Sequence, residues 1–203
     1  MDGRINDNML DVLKELANIG VGNAVTSLSH MLGEEKIDMD NPVATLVPLQ
    51  DVPDFLGGGE VAVAGVYIQA SGDVNLTILF VLALESATNL VAGLMQRMGG
   101  ESGELDEMGL SVLIEVGNIL TAAYLNALSM MTGYQLLPYP PQIAIDMAGA
   151  IISTVMAETH MIDDEVVLLQ TTLKTMDSQI GGNILILPDY GALEKILASL
   201  GIG

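Results

Sequence analysis

The sequence predicts an α/β protein of the α+β type: an internally duplicated, mainly antiparallel sheet with two long helices packed on it, pseudo-two-fold symmetric. Three observations lead there. Apolar residues recur at helical spacing in two long segments. Each segment is followed by a proline-bearing extended stretch and then by two apolar runs around a short turn. The whole order returns with a period near 100 residues in a chain of 203.

From Asn8 to about Leu32, the residues Leu10, Leu13, Ala17, Gly20 and Ala24 fall on one helical face, and "GEE" closes the helix. Asp11, Glu15, Asn18 and Gly22 fall on the opposite face. "KIDMDNPVATLVPL" reads as extended, with Pro42 marking a kink or an edge position. "EVAVAGVYIQAS" and "VNLTILFVLAL", joined around Gly72–Asp73, read as a hairpin of two mostly buried strands. Glu85 to Arg97 returns to helical spacing and stops at Gly99–Gly100. In the second half "ESGELDE" opens a helix over about Asp106 to Thr132. "GYQLLPYPPQ" follows, and "IAIDMAGAIISTVMAE" reads as another helix. "EVVLLQTTLKTM" and "IGGNILILP" form a second hairpin, and "DYGALEKILASLG" closes with a short helix. The chain is therefore one domain, 1–203, made of repeats over about 1–100 and 101–203, and both hairpins are expected in one sheet.

Composition narrows the partners. Half the residues are hydrophobic, which calls for a folded core, and 26 acidic residues against 6 basic ones give a formal charge of −20. Phosphates repel such a surface, so nucleic acid and anionic lipid are poor partners; a basic patch on a protein is a better one, and solubility or a salty milieu is the plainer reading of the same charge. The absence of cysteine excludes disulfides and thiolate chemistry. His30 and His160 stand far apart, which argues against a histidine-based metal site. The N-terminus lacks the basic start and apolar run of a secretory signal. Val116–Ile145 carries no charge, yet polar residues and three prolines interrupt it, so it reads as a buried helix and a turn rather than a membrane span. A cytoplasmic protein without membrane insertion is expected.

"KELANIGVGNA" poses a choice between a phosphate-cradling glycine loop and a helix whose outward face carries Glu15 and Asn18. The second half decides it. "ELANIGVGNA" aligns with "EVGNILTAAY", so Gly20 and Gly22 become Leu120 and Ala122 while the Glu, the Asn and the following Ile stay in place. A phosphate loop would not survive that exchange. The glycines instead are expected to let the helix pack closely. What the halves share is Asp11-x3-Glu15-x2-Asn18 and Ser111-x3-Glu115-x2-Asn118, followed by Pro42 after 23 residues and by Pro141 after 22. Residues three apart on a helix are neighbours, so each Glu and Asn can address one object. An exposed, merely solvated face is the competing reading. Two mid-helix asparagines weigh against it, because Asn is a poor helix former. Asp11 and Ser111, one turn earlier, either orient the glutamates or fill a solvated face. The methionines read as core filling.

This doubled pattern over the whole chain resembles the CheC family of chemotaxis phosphatases. Members of the CheX type are shorter and carry one working motif, and those of the FliY type carry an additional switch domain, so the resemblance is to the CheC type. It implies hydrolysis of the aspartyl phosphate on the response regulator CheY. Glu15 and Glu115 would pair with a lysine of the regulator. Asn18 and Asn118 would each orient a water for in-line attack, with Pro42 and Pro141 shaping the segments behind them. No cofactor of its own is implied, and Mg2+ is expected on the regulator. The family also implies binding to CheD, a receptor deamidase. Three alternatives stay open: a non-catalytic adaptor for CheD or the flagellar switch, a phosphatase for small molecules (disfavoured by the lack of a basic cluster), and a protein with only one working site.

Overall fold

The structure, a computed structural model, describes residues 7–31, 38–97, 105–159, 165–174 and 179–202. Helix α1 runs Asp7–Met31, followed by strands β1 (Asp38–Met39) and β2 (Val43–Pro48), a 3-10 turn (Leu49–Asp51) and the one-turn helix α2 (Val52–Phe55). Then come β3 (Ala62–Gly72), β4 (Leu76–Ala83) and α3 (Leu84–Arg97). The second half gives α4 (Glu107–Thr132), β5 (Leu136–Pro138), β6 (Gln142–Met147), α5 (Ala148–Thr159), β7 (Glu165–Lys174), β8 (Gln179–Pro188) and α6 (Ala192–Ser199). The expected "GEE" stop, the Gly99–Gly100 stop and His160 lie outside the described residues.

The strands form one antiparallel sheet in the order β1–β7–β8–β4–β3–β5, with β2 on β7 and β6 on β3. Read from either edge, the order of parts is the same: edge strand, two hairpin strands, two hairpin strands, edge strand. Each half's edge strand bonds to the other half's hairpin, so the halves interlock. The pseudo-two-fold axis passes between β8 and β4.

Pro42 and Pro141 mark a bulge in each edge strand. Met39 faces Leu173 and Val43 faces Gln170, so three residues, Asp40–Asn41–Pro42, oppose the two residues Thr171–Thr172. Likewise Pro138 faces Ala70 and Gln142 faces Tyr67, leaving Tyr139, Pro140 and Pro141 against two. A proline has no N–H for the ladder, and an edge bulge is where that costs least. The first bulge is pinned by Asp40 N–H donating to the Thr172 carbonyl at 3.0 Å, by the Thr171 hydroxyl donating to the Asp40 carbonyl at 2.8 Å, and by an ion pair between Lys174 and Asp40. Helices α1 and α4 are offset by 100 positions and the two bulge prolines by 99, so the extra residue of the first half falls before β1.

The sheet separates two apolar layers. Leu76, Ile78, Phe80 and Leu82 of β4 face α1, α3, α4 and α6, while Leu79 and Val81 face α2, α5 and the 3-10 turn. This alternation follows from the two-residue period of a strand. The first layer carries the long helices. There α1 and α4 lie on each other, crossing where a Cβ on Gly20 would come 3.4 Å from the Tyr124 Cα. Gly22 has nothing within 4 Å of such a Cβ, so the close-packing expectation holds for Gly20 and fails for Gly22. Asp106 caps α4 by accepting from Gly109 N–H at 2.9 Å, and Gly133 ends it in the left-handed region at φ 75°.

One further expectation needs correction. The "IAIDMAGAIISTVMAE" segment is not one helix. Gln142–Met147 is strand β6, paired with β3 from Tyr67 to Ala62, and only from Ala148 does helix begin. An apolar run of this length fits either period, and the open edge of β3 takes the backbone groups of its first five residues. The loop Gly59–Val61 then accepts the first two free N–H groups of α5, from Ala148 and Gly149 at 2.9 Å each. The 3-10 turn and α2 carried no expectation; they bury Leu49, Val52 and Leu56 against the second layer. With them, each half has the same parts: long helix, bulged edge strand, crossing helix, hairpin and closing helix.

One prediction arises at Gly72, where φ is 151° and an added Cβ would lie 1.9 Å from the Gln135 carbonyl oxygen. Gly72→Ala is expected to cost about 3 kcal/mol, since both strain and a backbone clash oppose it. Gly58, at φ 119° with open space around it, is the control, and Gly58→Ala should cost about 1 kcal/mol. Urea unfolding of the two variants reads the difference.

Candidate functional sites on two paired helices

The two motifs occupy equivalent environments. Position by position, residues 11–20 and 111–120 have the same pattern of burial. Leu13, Leu16, Ala17 and Gly20 are buried, as are Leu113, Val116, Gly117 and Leu120. Asp11 and Glu15 are exposed, as are Ser111 and Glu115. Asn18 and Asn118 are half-buried. Each helix thus sets its asparagine at the boundary between core and solvent, with the glutamate one turn before it fully outside.

Neither glutamate carboxylate has a hydrogen bond or ion pair among the described residues. The asparagine on α1 is in a different state. Asn18 Oδ1 is buried and without a hydrogen-bond partner. Leaving an acceptor unmet in this way costs about 1–3 kcal/mol. Asn118 is half-buried too, but its oxygen is not enclosed in that way. Asp11 and Ser111 do not reach the glutamates. Asp11 Oδ1 accepts from Lys14 Nζ at 3.2 Å, and the Ser111 hydroxyl donates to the Glu107 carbonyl at 2.9 Å.

Of the two prolines, Pro42 is the one placed against a motif helix. Pro42 is buried under α1, sharing a narrow apolar space with Ala17, Gly20, Val21 and Ala24. Pro141 is half-buried at the matching bulge. Two features that the motif alone did not reveal bear on the sites. Gly117, between Glu115 and Asn118, lets α4 rest on β3: a Cβ there would be 2.7 Å from Val66 Cγ1. Lys14, next to Glu15, is replaced by Ile114 in the second half. The alignment of the halves displayed both substitutions, yet neither could be weighed without the packing.

The sites are open helix surface rather than clefts. A cleft of about 570 Å3 lies elsewhere, lined by Gln69, Asp73, Thr77, Glu158 and Asp189 among others. Among the described residues no group of three or more His, Asp or Glu side chains is placed to hold a metal. Helix α4 is long and apolar enough to cross a membrane by length and composition, with half of that span buried inside this fold.

Fold and sites together define an interlocked, duplicated α+β protein that carries two like helix faces. The chain belongs to the CheC-like family. The family model matches residues 9–45 and 108–145, which are the two stretches from motif helix through bulged edge strand. A relative from Bacillus subtilis named CheY-P phosphatase CheC is 31% identical over 201 residues, covering 97% of this chain and 96% of that protein. The crystal structure of Thermotoga maritima FliY superposes with a TM-score of 0.79 at 21% identity, over 97% of this chain and 98% of that one. CheX from Borrelia burgdorferi, solved in complex with CheY, BeF3 and Mg2+, superposes with a TM-score of 0.51 at 19% identity, over 84% of this chain and 96% of that one.

Proposed function

We propose that this protein hydrolyses the aspartyl phosphate of a CheY-type response regulator, using two sites, Glu15–Asn18 and Glu115–Asn118. The observation that carries the reading is the pair of matched helix faces, each with an unpaired exposed carboxylate and a half-buried carboxamide one turn away. An acyl phosphate is reactive already, so positioning and charge stabilisation are what a catalyst must add. Glu15 or Glu115 anchors the ammonium of a lysine on the regulator. Asn118 then accepts a hydrogen of the attacking water with its oxygen and directs its N–H toward the phosphoryl group; Asn18, whose Oδ1 is enclosed, must first turn its carboxamide outward to do the same. Water attacks phosphorus in line, the bond from phosphorus to the aspartate oxygen breaks, and the products are the free carboxylate and inorganic phosphate. A carboxylate in place of the asparagine would repel the phosphoryl group. The chain itself needs no metal for this; Mg2+ belongs to the regulator, where it neutralises phosphoryl charge.

The relative named as a CheY-P phosphatase and the CheX complex with CheY support this partner. CheD is a second proposed partner, and the cytoplasm is the compartment where both would be met. The test is the decay of phosphorylated CheY from the same organism, with and without this protein. Acceleration is the expected result. No acceleration, together with retained binding to CheD, would overturn the reading in favour of a non-catalytic adaptor.

A further inference from the structure

We propose that the two sites hold the regulator by different chemistry, with Lys14 giving the first an ionic contact and Ile114 with Met108 giving the second an apolar one. This rests on the phosphatase reading above. On each helix the residue one position before the glutamate lies four before the asparagine, so it flanks the asparagine directly. In the first half that residue is Lys14, whose Nζ sits 3.2 Å from Asp11 Oδ1, with the two side chains 42% and 72% exposed. In the second half it is Ile114, half-buried and part of neither apolar layer among the described residues. Seven residues before Glu115, on the same face, Met108 is 60% exposed, while the matching position before Glu15 is Asn8.

The exchange leaves the local formal charge unaltered. Asp11, Lys14 and Glu15 sum to −1, and Ser111, Ile114 and Glu115 also sum to −1. Within the motifs themselves, then, formal charge does not tell the sites apart, and the difference lies in the contacts at close range. Lys14 places an ammonium beside the asparagine, where the dianionic phosphoryl group of the regulator arrives; salt screens such a contact between exposed charges. Ile114 offers apolar surface there, and Met108, about 15 Å from Asn118 toward the start of the helix, extends it along the docking face; salt does not weaken the burial of such surface. The per-residue burial of the two faces matches position by position, and besides the enclosed Oδ1 of Asn18 this exchange is what separates them. Lys14 and Ile114 are thus specificity-determining residues, acting on docking rather than on the chemical step.

The experiment uses single-site proteins: Asn118→Ala leaves only the first site, Asn18→Ala only the second. KM and kcat for phosphorylated CheY are measured at about 50 and about 500 mM NaCl, an interval across which the Debye length falls several-fold. The KM of the first site is expected to rise about threefold more than that of the second, the scale of one exposed charge contact. Lys14→Ile should remove that excess, Lys14→Arg should keep it, and Ile114→Lys should confer it on the second site, each in KM rather than in kcat. Acceleration at both sites with equal salt response overturns this inference alone. So does a Lys14→Ile effect confined to kcat. No acceleration by either single-site protein overturns the phosphatase reading, and this inference with it.

Discussion

Asn18→Ala combined with Asn118→Ala returns the decay of phosphorylated CheY to the regulator's own rate, while either change alone leaves an accelerated decay. The expectation follows from what the carboxamide has to do. It neither donates nor takes a proton, so its contribution is to hold a water in line and stabilise the phosphoryl oxygens as bonds change. Removing a positioned donor of this kind costs on the order of a hundred- to a thousand-fold in kcat. Each helix face carries its own Glu and Asn, so each asparagine is expected to work without the other, Asn18 once its enclosed oxygen turns outward. The glutamates should fail differently. Glu15 and Glu115 are exposed and have no partner among the described residues, and their proposed task is to hold a lysine in ground and transition states alike. Glu→Ala at either site in the single-site proteins therefore raises KM more than it lowers kcat. The measurement is single-turnover decay of the phosphorylated regulator over a range of protein concentrations. A double asparagine variant that still accelerates decay would exclude both sites at once.

How far the sequence could carry the fold depended on the strength of each local signal. Helix α4 was legible almost to the residue, because Asp106 and Gly133 are strong capping residues at either end of an apolar repeat. The first hairpin was legible for a like reason: β4 is nearly all Leu, Ile, Val and Phe, and Gly72 marks the turn before it. Gln142–Met147 was not legible, since its pairing depends on the open edge of β3 some 75 positions earlier in the chain. No local pattern shows that the two edge strands exchange between halves. The site was legible as identity, because the duplication displayed Glu and Asn at matched positions. What it could not display was state: the enclosed Oδ1 of Asn18, the turn of the Ser111 hydroxyl back into its own helix, and the pairing of Asp11 with Lys14. Those depend on side-chain rotamers and on neighbours from other elements, which repetition in the sequence does not encode.

Gly117→Val is expected to destabilise the protein by about 3 kcal/mol and to disable the second site while sparing the first. Glycine inside a helix is ordinarily a weakness, worth about 1 kcal/mol relative to Ala. At this position the packing outweighs it. A Cβ would lie 2.7 Å from Val66 Cγ1 and 2.8 Å from Val66 Cβ. Val66 has little room to yield, because it is 2% exposed and its strand is bonded on both sides, facing Phe80 of β4 and Ile143 of β6. Overpacking of this sort costs about 1–3 kcal/mol, and the further methyls of valine push toward the upper end. The matched residue of the first half, Ala17, is buried without being glycine, so the requirement belongs to the contact of α4 with β3 and not to the motif. Relief must come from the helix rising off the sheet, which carries Glu115 and Asn118 with it. Activity of the second site, measured in the Asn18→Ala background, should therefore fall more than stability alone would explain at temperatures where the protein remains folded. Val66→Ala opens space beneath the helix, so the pair Gly117→Ala with Val66→Ala should be more stable than the sum of its single changes, by about 1–2 kcal/mol in a double-mutant cycle. A Gly117→Ala protein that is instead stabilised by the full helical gain, with no coupling to Val66, would mean that α4 is free to lift from the sheet. The site's position would then be set by its contact with α1 at Gly20 and Tyr124 rather than by β3.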